Sequence, residues 1–237
     1  MKKRISVCMA VYNGEAYIYE QLTSILATLS ADDEIIISDD GSSDRTVELI
    51  KSFNDRRIRI YFNSFHNHIL NFEFALTQAQ GDYIYLSDQD DVWVKDKVSI
   101  MNHYLESYDL VCSDCIPTNE NLIPILDSYT SRNIKQRHGF LNNLYKNNYL
   151  GCCMAFRREV LKYALPFPKN LITHDTWIGL VAELYGKTIF IEDKLLYFRR
   201  HSKNTSTTLK KSTLSFYKKI QYRFIIIKGL LRNFINN

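Results

Sequence analysis

Apolar positions change period repeatedly along the first hundred residues. Residues 5–11, ISVCMAV, form an unbroken apolar run of strand length, and Ile18, Leu22, Ile25, Leu26 and Leu29 then recur at helical spacing. Asn13 stands where a cap for that helix is expected. A second apolar run, EIIIS at 34–38, meets the cluster Asp39-Asp40-Gly41-Ser42-Ser43-Asp44, a turn that opens a helix near 44–53. RIRIYF at 57–62 reads as a third strand, 71–80 as a helix closed by Gly81, and DYIYLS at 82–87 as a fourth strand.

This alternation predicts an α/β fold with a mostly parallel sheet covered by helices on both faces and right-handed crossovers. In such sheets ligands bind beyond the carboxyl ends of the strands, where the strand order switches. Tyr12-Asn13, Asp39-Asp40 and Asp88-Gln89-Asp90 follow the first, second and fourth strands, so three strand tips are expected to share one crevice.

The second half is less regular. Strands are expected at 110–115 and 152–156, with helices at 140–147, 159–165 and 175–186, the last closed by Gly186. TIFIE and LLYFRR read as two further strands. With no linker and no internal repeat, the chain reads as a single domain, 1–206, with a helical tail, 207–237.

Composition narrows the picture. At 237 residues and 46% hydrophobic, the chain can bury a substantial core. The short apolar run after the basic start breaks at Tyr12-Asn13-Gly14, as a core strand would, and no run reaches the ~20 residues that span a bilayer. The five cysteines form an odd set expected to be free thiols in a reducing cytosol, and the lone Cys112/Cys115 pair lacks the second half of a zinc site. After Asp193 there is no acidic residue but eleven Lys and Arg, so a body with 19 basic against 26 acidic residues carries a basic tail. No nucleic-acid-binding motif accompanies that charge.

Asp88, Asp90 and Asp91 crowd the end of the fourth strand. Carboxylates so placed suit a hard divalent cation, Mg²⁺ or Mn²⁺, whose shell a phosphate would complete. An EF-hand loop is excluded because Trp93 stands at its required glycine. The segment Asp88-Gln89-Asp90-Asp91-Val92 also fits the aspartate-nucleophile pattern of haloacid-dehalogenase-type phosphatases, although three strand units precede it where that nucleophile usually sits on the first.

Read in order, ISVCMAVYNGEAYIYEQLTSIL, IISDDGSSDRT, YIYLSDQDDVW, GCCMAFRREVL, HDTW and YFRRHSKNTS resemble the inverting nucleotide-sugar glycosyltransferases of family 2, over roughly residues 4–206. The resemblance implies the Rossmann-like GT-A fold, with a nucleotide-binding half at 1–110 and an acceptor-binding half at 111–206. SDQDDVW and the RRH-x-x-N motif look like bacterial enzymes that extend surface polysaccharides such as O-antigen or capsule, rhamnosyltransferases among them.

Carried over by motif, the resemblance implies that Ala10, Tyr12 and Asp40 hold the nucleoside, with Asp40 accepting from the pyrimidine N–H and Glu15 assisting. Asp88 would face the ribose or donor sugar and Asp90 would ligate Mn²⁺ or Mg²⁺, with Asp91 orienting it. His201 would meet the metal or the diphosphate, helped by Arg200 or Arg199. Asp175 matches the position of the catalytic base, which agrees with its place at a helix start beside Trp177; His174 reads as structural. Gly151-Cys152-Cys153 would border the sugars. The donor would be a UDP- or dTDP-sugar and the acceptor a lipid-linked glycan. The competing readings are the phosphatase acting through Asp88 and a nucleotide-binding module without catalysis.

Residues 214–235 mix Phe, Ile and Leu with five basic residues, as an amphipathic helix in an anionic membrane interface would. That predicts a cytoplasmic protein, peripheral on the cytoplasmic face of the inner membrane. A helix docked on the body with a solvated basic face is the alternative.

Overall fold

The computed structural model describes residues 3–129, 139–202, 204 and 215–236. Its first half follows the expected alternation: β1 (Ile5–Val11), α1 (Ile18–Leu26), β2 (Glu34–Asp39), α2 (Thr46–Ser52), β3 (Ile58–Phe62), α3 (His68–Thr77) and β4 (Tyr83–Ser87). All of β2 is buried, as is all of β1 except Ala10, which is why both read as continuous apolar runs.

Three local expectations change. Asn13 does not cap α1, which begins at Ile18 without a side-chain cap; instead Asn13 Oδ1 accepts from the Ser43 amide at 2.9 Å, joining the tips of β1 and β2. The third helix starts at His68, because Asn67 caps it by accepting from the Ile69 and Leu70 amides. It ends at Thr77, so Gly81 does not close it; Gly81 lies against β1, where a Cβ would come within 2.6 Å of the Ser6 nitrogen.

Beyond β4 come β5 (Val92–Trp93), α4 (Lys97–Leu105), β6 (Leu110–Thr118) and α5 (Phe140–Tyr145). A 3₁₀ turn over Gly151–Cys153 leads into β7 (Met154–Arg157), so the strand expected at 152 starts two residues later. The chain continues through α6 (Leu161–Ala164), α7 (His174–Tyr185), β8 (Thr188–Arg199) and α8 (Phe216–Asn236). TIFIE and LLYFRR are thus one strand, and β5 and α4 are additions to the expected set.

The eight strands form one sheet in the order β3-β2-β1-β4-β7-β6-β8-β5. The first four pair in parallel; β7 runs antiparallel to β4 and β6, and β8 is parallel to β6 but antiparallel to β5. The reversal at β7 brings the 151–153 turn to the carboxyl end of β4. The β8–β5 pair carries the chain after Arg199 back to the acidic turn. The five cysteines are free and buried.

The tail helix docks on the body. Ile226 and Leu230 are buried, Arg223 Nε donates to the Leu144 carbonyl at 3.1 Å, and Gly229 sits where a Cβ would lie 2.7 Å from Pro168 and 3.0 Å from Trp177. None of the helices searched among the described residues is long and apolar enough to cross a membrane.

Candidate active site

The carboxyl tips of β1 and β4 are tied together by side chains reaching backbone atoms. Gln89 accepts from the Tyr12 amide at 2.9 Å and donates to the Tyr12 carbonyl at 3.0 Å. Gly14 makes this possible, because a Cβ there would stand 2.6 Å from Gln89 Oε1. Buried Gln21 of α1 donates to Ser87 Oγ and to the Asp88 carbonyl, both at 2.8 Å, fixing where Asp88 leaves the strand.

Asp90 and His201, 111 residues apart, are brought into contact: His201 Nε2 lies 2.8 Å from Asp90 Oδ2, and Asn204 Nδ2 donates to that same oxygen at 2.9 Å. The His201 ring stacks on Tyr17 with centroids 4.6 Å apart, and the Arg199 guanidinium lies 4.8 Å from the same ring. Buried Arg199 donates to the Asp90 carbonyl at 2.8 Å and the Glu120 carbonyl at 2.6 Å, and pairs with Glu20. It therefore acts on the backbone that carries Asp90. Arg200 sits with its guanidinium 5.3 Å from the Phe198 ring.

Behind this pair the negative charge is poorly compensated. Burial, and then the neighbouring charges of Asp90 and Asp175, push the Asp88 carboxyl up to about 7. Asp91 is fully buried, accepts from the Arg199 amide at 3.0 Å through Oδ1 and leaves Oδ2 without a partner; burial and the charges of Asp90 and Asp88 raise it well above the carboxylate range. Carboxylate oxygens of Asp88 and Asp91 and the Cys152 sulfur lie within 4.8 Å of one another. The buried Lys97 ammonium donates to the Cys152 carbonyl at 2.9 Å and so supports the 151–153 turn.

Asp175 opens α7. Its Oδ1 accepts from the Thr176 amide at 2.6 Å, yet burial outweighs these hydrogen bonds and pushes the carboxyl up to about 6. The neighbouring His174 is buried, stacks on Phe72 at 4.1 Å and has neither ring nitrogen paired; burial lowers it to about 3, so it is neutral at physiological pH.

The nucleoside-side residues divide differently. Tyr12 is 55% exposed, leaving its ring face open at the tip of β1, and Ala10 sits opposite Ser38 in the β1–β2 register. Glu15 accepts from the Arg45 amide at 3.0 Å while its own amide donates to Asp44, so it braces the start of α2. Asp40 accepts from the Phe65, His66 and Asn67 amides at 2.5, 3.0 and 2.9 Å. In this structure its main work is to hold the 65–67 loop. Asp39, read as a plain turn residue, accepts from the Gly41 and Ser42 amides through Oδ2 and keeps Oδ1 buried and unpartnered.

Sequence reasoning thus named the carboxylates and His201 but not the side chains that aim them. Gln21, Gln89, Tyr17 and Lys97 carried no signal of their own; Asn204 ends the RRH-x-x-N motif, which was the available hint.

Comparison with known proteins agrees with the fold. The model of the family described as glycosyl transferase family 2 matches residues 6–164. The abequosyltransferase RfbV of Salmonella typhimurium is 32% identical over 64% of this chain and 48% of its own length. The dTDP-rhamnosyl transferase RfbG of Shigella flexneri is 26% identical over 95% of this chain and 79% of its own. The chain therefore spans about half of the first relative and most of the second. Among solved structures, Staphylococcus aureus TarS 1–349 in complex with UDP-GlcNAc superposes with a TM-score of 0.73 at 20% identity, covering 94% of this chain and 66% of that one, a likeness of fold.

Proposed function

The chain belongs to glycosyl transferase family 2, and from that premise we propose that it moves a sugar from a UDP- or dTDP-sugar to a glycan hydroxyl with inversion. Neither competing reading gains support. The phosphatase would need Asp88 as a first-strand nucleophile, whereas Asp88 follows β4, and nothing in the family match favours a module without catalysis.

The observation that carries the reading is the meeting of Asp90 with His201 and Asn204 beside the raised carboxyls of Asp88 and Asp175. Such crowding suits a divalent cation. The donor set is carboxylate oxygen with one imidazole nitrogen, and Asp91, with its unpartnered Oδ2, and Asp88 add carboxylates whose charge a cation would offset. Asp90 and His201 would hold Mn²⁺ or Mg²⁺, with Asp91 behind them, and when bound the ion supplies neutralisation of charge on the departing diphosphate.

The remaining steps fall to side chains of the chain itself. Asp175 takes the proton of the acceptor hydroxyl as that oxygen bonds to the anomeric carbon. The bond from that carbon to the diphosphate oxygen breaks on the opposite face, and the diphosphate leaves with the bonding electrons. No covalent sugar–enzyme intermediate forms. A carboxyl titrating near 6 suits this task better than an ordinary one, being ionised at neutral pH yet more basic. Arg200 lends positive charge on the diphosphate side, while Tyr12 and Ala10 meet the nucleoside. Glu15 supports that wall by bracing α2, and Asp40 by holding the 65–67 loop. The acceptor we assign is a glycan on a lipid carrier, met at the cytoplasmic face of the membrane.

The test is a panel of UDP- and dTDP-sugars with Mn²⁺, followed by proton NMR of the first product. A new glycosidic bond of configuration opposite to the donor is the expected result. Retention, or release of inorganic phosphate in place of a glycoside, would overturn the reading.

A further inference from the structure

We propose that the outward face of α8 is a docking surface for an anionic lipid bilayer. The inference rests on the transfer reading for its purpose, but the binding itself does not require it.

Tyr217, Ile220, Phe224, Ile227 and Leu231 are exposed by 75, 45, 71, 41 and 59%. Their spacing alternates three and four residues, which at 3.6 residues per turn aligns them in one stripe. The docked residues, Tyr222, Ile226, Gly229 and Leu230, fall on the other side of the same helix. The helix thus has two apolar faces, and among the described residues only one of them is covered. Arg223 ties α8 to the Leu144 and Tyr145 carbonyls, and exposed Leu141 and Tyr145 of α5 extend the uncovered patch. A contiguous apolar surface of this kind marks an interaction site.

Charge selects the partner. Lys218, Lys228 and Arg232 are exposed beside the stripe, Lys219 and Arg223 complete a set of five cations on α8, and the chain has no acidic residue after Asp193. A second copy docking through the same stripe would bring like charges together with no carboxylate on either helix to answer them. Anionic headgroups supply that answer, and an amphipathic helix of this composition lies in the interfacial plane with its apolar face down.

The docked face links this surface to the chemistry. Tyr222 Oη lies 2.5 Å from Thr173 Oγ1, Thr173 Oγ1 donates to Thr176 Oγ1 at 2.8 Å, and the Thr176 amide donates to Asp175 Oδ1 at 2.6 Å. The helix that would rest on the bilayer is thus bonded through its other face to the turn that carries the base.

The test uses the full chain and co-sedimentation with mixed phosphatidylglycerol–phosphatidylcholine vesicles against pure phosphatidylcholine. The parent protein is expected to bind the anionic vesicles in low salt and to be released by high salt. Phe224→Gln with Leu231→Gln is expected to weaken binding about tenfold or more, with melting temperature unchanged because both side chains are exposed. Lys228→Gln with Arg232→Gln is expected to remove most of the preference for phosphatidylglycerol. A parent protein that stays in solution, or a double apolar variant that binds as the parent does, overturns the proposal. So does a concentration-dependent dimer, abolished by the apolar variant, in a protein that ignores vesicles. Transfer to a soluble glycoside without vesicles tests the reaction separately, so failure of either reading is distinguishable.

Discussion

Two acidic turns cap neighbouring parts of the same sheet and are used in opposite ways. At the tip of β2, Asp40 is answered by three backbone amides of its own fold. At the tip of β4, burial and then the charges of neighbouring carboxylates raise the pKa values of Asp88 and Asp91. The difference teaches how to separate an acid that builds a site from one that works in it. A carboxylate saturated by local amides organises a loop, whereas one held ionisable among like charges is waiting for a cation or a proton.

The largest expected effect lies on the second side of that contrast. Asp175→Asn should lower kcat by about 10²–10⁴-fold while leaving donor affinity unchanged, read by radiolabelled transfer and by calorimetric binding of the nucleotide diphosphate. Equal turnover in the variant would remove Asp175 as base. Asp90→Ala should lower Mn²⁺-stimulated turnover by about 10²–10³-fold, and Asn204→Ala, which loses the hydrogen bond that aims Asp90 and the one its Oδ1 accepts from the His201 amide, should weaken metal affinity by about 10–100-fold.

On the saturated side, Asp40→Asn should lower stability by about 1–3 kcal/mol, because its NH₂ group is placed against amides that need acceptors. A denaturant midpoint matching the parent's, with donor affinity lost instead, would return Asp40 to direct contact with the base.

Titration sharpens the contrast further. Asp175 must be ionised to act, so kcat/KM should fall as pH drops through about 6 and level off above it. Asp88 titrates near 7 in the fold but near the ordinary carboxylate value when unfolded. The folded state therefore takes up a proton first, and protein freed of metal by chelator should become more stable as pH falls from about 8 to about 5. Asp88→Asn should weaken that dependence and raise the stability of the metal-free protein at pH 8, read by denaturant midpoint.

Much of this was legible in the sequence because the first half follows rules local to each segment. Buried parallel strands announce themselves as continuous apolar runs, and β1, β2 and β4 were placed within a residue at each end. The misses are equally physical. A two-residue strand such as β5 has no period to read, and α4 hides behind Lys97, a buried residue with a surface signature. Asn13 and Asn67 are the same residue type before a helix, but only Asn67 caps, because Asn13 is taken by Ser43 from the next turn. The residues that aim the site were least visible: Arg199 reaches Asp90 across 109 residues and Asn204 across 114. The tail sequence fits either a membrane-facing or a docked helix; α8 has a docked face, and its second face, uncovered among the described residues, carries the membrane proposal.

The central claim, that acids from separate strand ends form one pocket for a divalent ion and a nucleotide diphosphate, is tested most directly by Mn²⁺ binding followed by electron paramagnetic resonance in the presence of UDP. The account expects the parent to take up Mn²⁺ with its affinity raised by UDP, Asp90→Ala to lose that uptake, and Asp40→Asn to keep it. Uptake unchanged by Asp90→Ala, or indifferent to UDP, would contradict it.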